Sequence, residues 1–329
     1  MIIHTYTYGE NKKNIKYVIK YLFHTDNITH QAIIIHQLNK LINDSDILLS
    51  LRNYIFKNSN KIKQYPNSLD TCGTGGDGLK TLNISTTVAI LLSSVGIPIA
   101  KHGNRALSSK TGAADVLTQL GVNLDCKMEL VQSSMNEAGI CFLMAPRHHT
   151  AMRHVADTRI QLATRTIFNL LGPIANPADV TRQLVGVFSE DWVEPVAEVL
   201  KSLGSERAWV VHGSDGLDEI TTTGKTKVAS LEGNAITIFE IHPREAGIKL
   251  AEPKQLVGGE PDENANALLS IFNGERNAYR DIVVLNSAAC LIIAGKAKNL
   301  TEGASISSDM IDSGKALEKL EALKEITNR

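Results

Sequence analysis

Residues 70 to 86 read Asp-Thr-Cys-Gly-Thr-Gly-Gly-Asp-Gly-Leu-Lys-Thr-Leu-Asn-Ile-Ser-Thr. Gly73, Gly75 and Gly76 permit backbone angles that a Cβ forbids, and let the chain press against a ligand. Successive N–H groups in such a turn form a concave nest for phosphate or pyrophosphate. Asn83 stands just before the apolar run Val88–Leu92, where the pattern predicts a helix. Asn is a favoured N-cap, and a helix N-terminus attracts anions in its own right. Thr81, Ser85 and Thr86 add hydroxyls for phosphate or a metal. A flexible glycine turn is the plainer alternative for this stretch taken alone. Its order matches neither G-x-G-x-x-G nor G-x-x-x-x-G-K-[ST].

From Leu69 onward, short apolar segments alternate with longer helical ones. Leu69–Cys72, Ile97–Ala100, Cys141–Met144, Leu184–Phe188, Ala208–Val211 and Ile236–Ile241 read as strands. Helices are predicted from about Gly112 to Leu120 and over Met128–Ala138, the second stopping at Gly139. The fold class is therefore α/β with a mostly parallel central sheet. Ligands of such sheets gather at the carboxyl ends of strands, where the glycine loop falls.

Residues 1–65 differ in kind. They hold twelve Ile, eight Asn, and nine Lys or Arg against four Asp or Glu. Ile15, Val18, Ile19 and Leu22 make a helical stripe, as do Ile34, Leu38, Leu41 and Ile42, and again Ile47, Leu51, Tyr54 and Ile55. Three short helices, broken near Asp26-Asn27 and Asn43-Asp44, form a small helical domain. The larger domain is 66–329, reached through a polar linker ending at Pro66-Asn67.

The chain has 329 residues, 43% hydrophobic and 21% charged, with net charge −1. Nothing in that balance points to nucleic acid or an acidic membrane as partner. Four scattered cysteines without a C-x-x-C pair fit a reducing cytoplasm. Met1-Ile-Ile-His-Thr-Tyr lacks the start of a signal peptide, and the apolar runs are too short to span a bilayer.

Lys101-His102-Gly103-Asn104-Arg105 follows the strand Ile97–Ala100, with Ser108-Ser109 close behind. Two cations, an imidazole, an amide and hydroxyls suit an anionic ligand, Lys as a point charge and Arg as a fork. A solvated basic loop is the bland alternative. His148, His149 and His154 lack the i, i+4 spacing of a helical zinc site and read better as hydrogen-bonding groups around a substrate. Arg159 and Arg165 suit a carboxylate clamp, though a surface ion pair explains Arg159 equally. Asp215, Asp218 and Glu219 follow the strand Ala208–Val211. Adjacent carboxylates beside a phosphate site are what Mg²⁺ takes, completing its shell with water and substrate oxygens.

Taken together, the blocks Asp70–Asp77, Asn83–Thr86, Lys101–Ser109, Ala113–Leu117, Met152–Ala156, Arg165–Pro177, Val210–Ile220 and Ala316–Leu323 resemble the anthranilate phosphoribosyltransferases of tryptophan biosynthesis. The resemblance runs from about Leu69 to the C-terminus. It implies transfer of the phosphoribosyl group of phosphoribosyl pyrophosphate (PRPP) to the amine of anthranilate, releasing pyrophosphate with Mg²⁺ as cofactor. It implies a PRPP site of Gly73, Gly76, Asp77, Thr81, Asn83, Ser85, Thr86 and Lys101, His102, Gly103, Asn104, Arg105, Ser108 and Ser109. Gly73, Asn104 and Arg159 correspond to anthranilate contacts, and Ser85, Asp218 and Glu219 to metal ligands. Lys101 and His102 stand at the catalytic positions. Part of 159–180 is expected to join the helical domain, through which family members usually form homodimers. Ala113, Thr150 and Ala163 depart from the residues usual in the family, and residues 1–65 carry none of its familiar phrases. A pyrimidine nucleoside phosphorylase and a non-catalytic nucleic-acid-binding relative are the rival readings; the Asp218-Glu219 pair and the near-neutral charge disfavour them.

Overall fold

The computed structural model describes residues 15–41, 44–106 and 110–329. Seven strands build one sheet: β1 (Leu69–Gly73), β2 (Ile99–Gly103), β3 (Ile140–Met144), β4 (Arg182–Gly186), β5 (Arg207–Gly213), β6 (Thr226–Glu232) and β7 (Ala235–Ile241). Their order is β3-β2-β1-β4-β5-β6-β7, with β1 to β5 parallel and β6 and β7 antiparallel. The α/β class with a mostly parallel sheet is thus the observed one. Strand order reverses at β1, which pairs with β2 on one side and β4 on the other. A crevice opens at the carboxyl end of such a strand, and the glycine loop leaves β1 at that point.

The inner parallel strands are buried on both faces, as expected where helices cover a parallel sheet. One face packs against the helices Ile84–Ser93, Ala278–Ile293 and Lys315–Thr327, and Leu300–Asp312 stacks on the second of these. The other shares an apolar cluster with the helices Ile167–Ile174 and Val193–Ser202, and this cluster continues into the three N-terminal helices. Those helices, Ile15–Leu22, Ile28–Lys40 and Ser45–Lys57, bury the stripes seen in the sequence; Asn27 and Asp44 cap the second and third. Leu48 and Leu51 are fully buried, each contributing about 1.5–3 kcal/mol by leaving water. Ile42 and Asn43 lie outside the described residues.

Polar ties bind the helical region to residues 154–179. Arg52 donates from Nε to Ile174 O at 3.1 Å and pairs with Asp179 at 2.9 Å. Gln31 Nε2 donates to His154 O at 2.7 Å, and Ile167 N donates to Asn39 Oδ1 at 2.8 Å.

Two features depart from the sequence reading. The second strand runs on through Lys101, His102 and Gly103 rather than ending at Ala100. These polar residues are tolerated inside the sheet because partners meet them: Lys101 Nζ donates to Thr71 O at 2.6 Å, and His102 N to Asp70 Oδ1 at 3.0 Å. The strand β6 is the other. It forms a hairpin with β7 through Gly233-Asn234, with Gly233 at φ +58°, a two-residue turn that needs positive φ.

Candidate active site

The crevice is lined by the carboxyl ends of β1, β2 and β5. Gly75 and Gly76, at φ +66° and +76°, give the loop its left-handed turn. Gly75 N donates to Asp218 Oδ2 at 2.6 Å. Gly73 pairs with Gly186 in register, and Asp218 rests on both. A Cβ on Gly73 would lie 2.2 Å from Asp218 Oδ2, and one on Gly186 only 1.5 Å from Asp218 O. The two glycines thus exist to admit a segment 143 residues further along the chain than Gly75. Asp77 caps the loop, its Oδ1 accepting from Leu79 N at 3.1 Å, and faces Asp218.

Asp218 and Glu219 are both buried. Burial first, then the Asp77 carboxylate, raises the proton affinity of Asp218; burial and then Asp218 do the same for Glu219, against the opposing pull of Lys101 and Ser85. Lys101 Nζ reaches Ser85 Oγ at 3.2 Å, and Ser85 in turn hydrogen-bonds Glu219. Crowded carboxylates of this kind are under-compensated by the chain's own cations. Among the described residues no three His, Cys, Asp or Glu side chains form a closed metal cage. Two carboxylates and a hydroxyl are an open, all-oxygen set, which fits Mg²⁺ shared with substrate phosphates. Asp215 turns elsewhere: it accepts from Thr221 and Thr223 hydroxyls at 2.6 Å each and braces its own loop.

His102 and Lys101 are held from behind. Asp70, fully buried, accepts from His102 N and from Asn176 Nδ2 at 2.8 Å, and Asn176 also donates to Ala100 O at 2.8 Å. The His102 ring meets His149 edge to face, with Nε2 to Nε2 at 3.0 Å, and bonds the Gly172 backbone as well. Burial, followed by His149, His148 and Lys101, pushes the His102 pKa well below the ordinary histidine value, so the ring is neutral at pH 7. His149 is likewise pushed down, to about 4, by burial and then His148 and Arg52.

The other sequence candidates are placed as follows. Thr86 Oγ1 is buried with no partner among the described residues. Thr81 bridges Val257. Asn83 precedes the helix Ile84–Ser93 without the expected side-chain cap; its Oδ1 accepts instead from Asn264 Nδ2 at 2.9 Å. Gly103 has a packing reason, since a Cβ there would meet the Phe142 ring at 2.8 Å. Asn104 Oδ1 accepts from Arg105 N at 2.8 Å, and Arg105 pairs with Asp115 at 3.1 Å. Ser108 and Ser109 lie outside the described residues.

Arg159, on the helix Ala156–Leu162, lies over the Phe168 ring at 5.4 Å with no carboxylate partner among the described residues; burial lowers its pKa. Of the three histidines, only His149 reaches the crevice. His148 bonds Asn60 O at 2.6 Å and His154 is exposed. Arg165, expected with Arg159 as a carboxylate clamp, is placed beside the glycine loop, and Asn264 gains a place that the sequence reading did not assign it. Arg165 lies over Phe188 at 4.9 Å, with its Nε 3.3 Å from where a Gly76 Cβ would sit. Asn264 links the Gly258-Gly259 pair to Asn83; that glycine pair before Pro261 was the available signal.

Residues 65–317 match a family model described as glycosyl transferase family, a/b domain. The anthranilate phosphoribosyltransferase of Azospirillum brasilense is 59% identical over 261 residues, 79% of this chain and 73% of its own. That of Bradyrhizobium diazoefficiens is 55% identical over 263 residues, 80% and 78% of the two chains. Among solved structures, the anthranilate phosphoribosyltransferase of Thermus thermophilus is similar with TM-score 0.91 and 34% identity, covering 97% of this chain and 96% of that one. The enzyme of Saccharomyces cerevisiae in complex with PRPP and Mg is similar with TM-score 0.86 and 28% identity, covering 95% and 91%. Structural likeness therefore spans more of the chain than the likeness to the Azospirillum sequence does. No helix of the described residues is long and apolar enough to cross a membrane.

Proposed function

The chain belongs to the glycosyl transferase family, a/b domain, and within it to the anthranilate phosphoribosyltransferases, and from that premise we propose how its residues transfer phosphoribose from PRPP to anthranilate. The observation that carries the reading is the meeting of the Gly73–Gly76 turn with Asp218, Glu219, Ser85 and Lys101 in one crevice. Pyrophosphate lies against the loop amides and the N-terminus of the helix Ile84–Ser93, where N–H groups and dipole favour negative charge. Gly73, Gly76, Asp77, Thr81, Asn83, Ser85, Thr86 and Lys101 to Ser109 form the PRPP site.

As the C1–O bond of PRPP breaks and the C1–N bond to anthranilate forms, negative charge grows on pyrophosphate and positive charge on the ribosyl ring. Lys101 and the loop amides stabilise the first electrostatically. Ser85, Asp218 and Glu219 are the residues that would hold Mg²⁺, which when bound adds positive charge beside the leaving group. Arg159 clamps the anthranilate carboxylate, with Asn104 and Gly73 at the junction of the two substrates. The aromatic amine is neutral at pH 7 and needs positioning rather than prior deprotonation. With its ring engaged by His149 and the Gly172 backbone, His102 is assigned to shaping that pocket and not to proton removal.

Four free cysteines, all buried, are in keeping with a reducing cytoplasm. The dimer contact is assigned to the helical region, where Tyr17 and Ile160 are each 74% exposed. The activity is tested by loss of anthranilate fluorescence with PRPP and Mg²⁺. The expected result is complete, PRPP-dependent loss; none at high enzyme concentration, or turnover with thymidine and phosphate instead, overturns the reading.

A further inference from the structure

A relay that begins at a backbone amide fixes which way the Asn83 side chain faces. Gly258 and Gly259 precede the helix Pro261–Phe272 and lie against the segment leading to Asn83. Gly258 N donates to Lys80 O at 2.8 Å. A Cβ on Gly258 would stand 2.9 Å from both Thr81 O and Asn264 Nδ2, so this approach requires glycine. Asn264, 1% exposed, fills the notch.

Gly259 N meets Asn264 Oδ1 at 2.7 Å, and a backbone N–H can only donate. Asn264 must therefore turn its Nδ2 to Asn83, where it donates to Oδ1 at 2.9 Å. With Oδ1 accepting there, the free end of the Asn83 amide is Nδ2, which no described residue accepts from. The Asn83 backbone is fixed separately, its carbonyl accepting from Thr87 Oγ1 at 3.0 Å and Tyr279 OH at 3.2 Å. The same notch reaches the loop after β2, since Thr111 Oγ1 donates to Gly259 O at 2.8 Å.

We propose that Asn264 is a positioning residue for PRPP: through the Gly259–Asn264–Asn83 relay it holds Asn83 with its amide donor, rather than its oxygen, toward the substrate's oxygens. This inference rests on the PRPP reading of the crevice. A donor there favours a phosphate or ribose oxygen, whereas the reversed amide opposes an oxygen lone pair to an anion.

Steady-state kinetics with PRPP, Mg²⁺ and anthranilate test it. Asn264→Asp keeps the acceptor for Gly259 N but offers Asn83 an acceptor in place of a donor, so the Asn83 amide reverses. The KM for PRPP then rises about 10- to 100-fold, the loss of one hydrogen bond to a charged group, while the KM for anthranilate stays within about two-fold. In an Asn83→Ala background, Asn264→Asp adds less than about two-fold. An unchanged KM for PRPP, or a full further rise in the Asn83→Ala background, overturns the relay. Should Asn264→Asp fail to fold, Asn83→Asp carries the test. The bond from Asn264 Nδ2 then fixes one carboxylate oxygen and leaves the other toward PRPP. Its KM for PRPP exceeds that of Asn83→Ala; a value at or below it overturns the inference. A wild-type enzyme without turnover on these substrates removes the reading on which the relay rests, and is thereby told apart from a failure of the relay alone.

Discussion

Gly73→Ala perturbs the proposed metal site without deleting a ligand. The added Cβ would lie 2.2 Å from Asp218 Oδ2, 2.7 Å from Cγ and 2.9 Å from the Asp218 carbonyl. Ordinary contact needs about 3.5 Å, so the carboxylate has to retreat by about 1 Å. It cannot do so by side-chain rotation alone, because the carbonyl is also too close and the Asp218 backbone is wedged against Gly186. A displacement of about 1 Å at a reacting centre costs on the order of 100-fold in rate. The accompanying overpacking costs about 1–3 kcal/mol of stability. Anthranilate depletion over a Mg²⁺ titration reads the first effect, and urea unfolding the second. The expectation is a rate lowered about 100-fold and a higher Mg²⁺ requirement in a folded protein. A rate within about three-fold of wild type would refute the claim that Asp218 works from the position it holds against Gly73.

Three further outcomes are expected. Arg159→Ala raises the KM for anthranilate by about ten-fold or more and leaves that for PRPP nearly unchanged; an unaltered anthranilate constant counts against the clamp. Ala163, at φ +46°, closes the helix Ala156–Leu162 in a left-handed conformation that a Cβ resists; Ala163→Gly therefore stabilises by about 0.5–1 kcal/mol in urea unfolding, and a loss of stability would show the strain to be absent. His149 concerns pH. Its native pKa of about 4 lies below the ordinary 6.5, so the unfolded chain binds the extra proton and stability falls as pH drops from 6.5 to 4. The span corresponds to about 3 kcal/mol, fully retained above pH 6.5. His149→Gln flattens that slope between pH 7 and 5, and parallel slopes for the two proteins would show that His149 does not carry it.

Much of the fold was written locally. The three N-terminal stripes, the strand Leu69–Gly73 and the glycine loop are short-range patterns, and each forms where its periodicity or turn chemistry puts it. The strand β6 was missed because its Thr-Lys-Val-Ala-Ser-Leu-Glu carries one weak alternation; the Gly233-Asn234 turn was the stronger mark. Lys101 and His102 looked like loop residues because their polarity is offset by Thr71, Ser85, Asp70 and His149, which only the folded sheet brings to them. Asn83 looked like an N-cap for the same reason. Its side chain is claimed by Asn264, 181 positions away, and no local signal records that competition. Gly73 was legible as freedom in the chain, but its purpose, which Gly186 shares, is room for Asp218 and depends on a strand register that sequence spacing does not reveal.

The central claim is that the glycine turn and the Asp218–Glu219 pair hold PRPP together with Mg²⁺. Calorimetric titration of PRPP into the enzyme, with and without Mg²⁺, tests it most directly when wild type is compared with the Asp218→Ala/Glu219→Ala double variant. The account predicts Mg²⁺-dependent PRPP binding for wild type, and loss of that dependence in a double variant that keeps its circular dichroism. Equal, Mg²⁺-dependent binding by both proteins would contradict it.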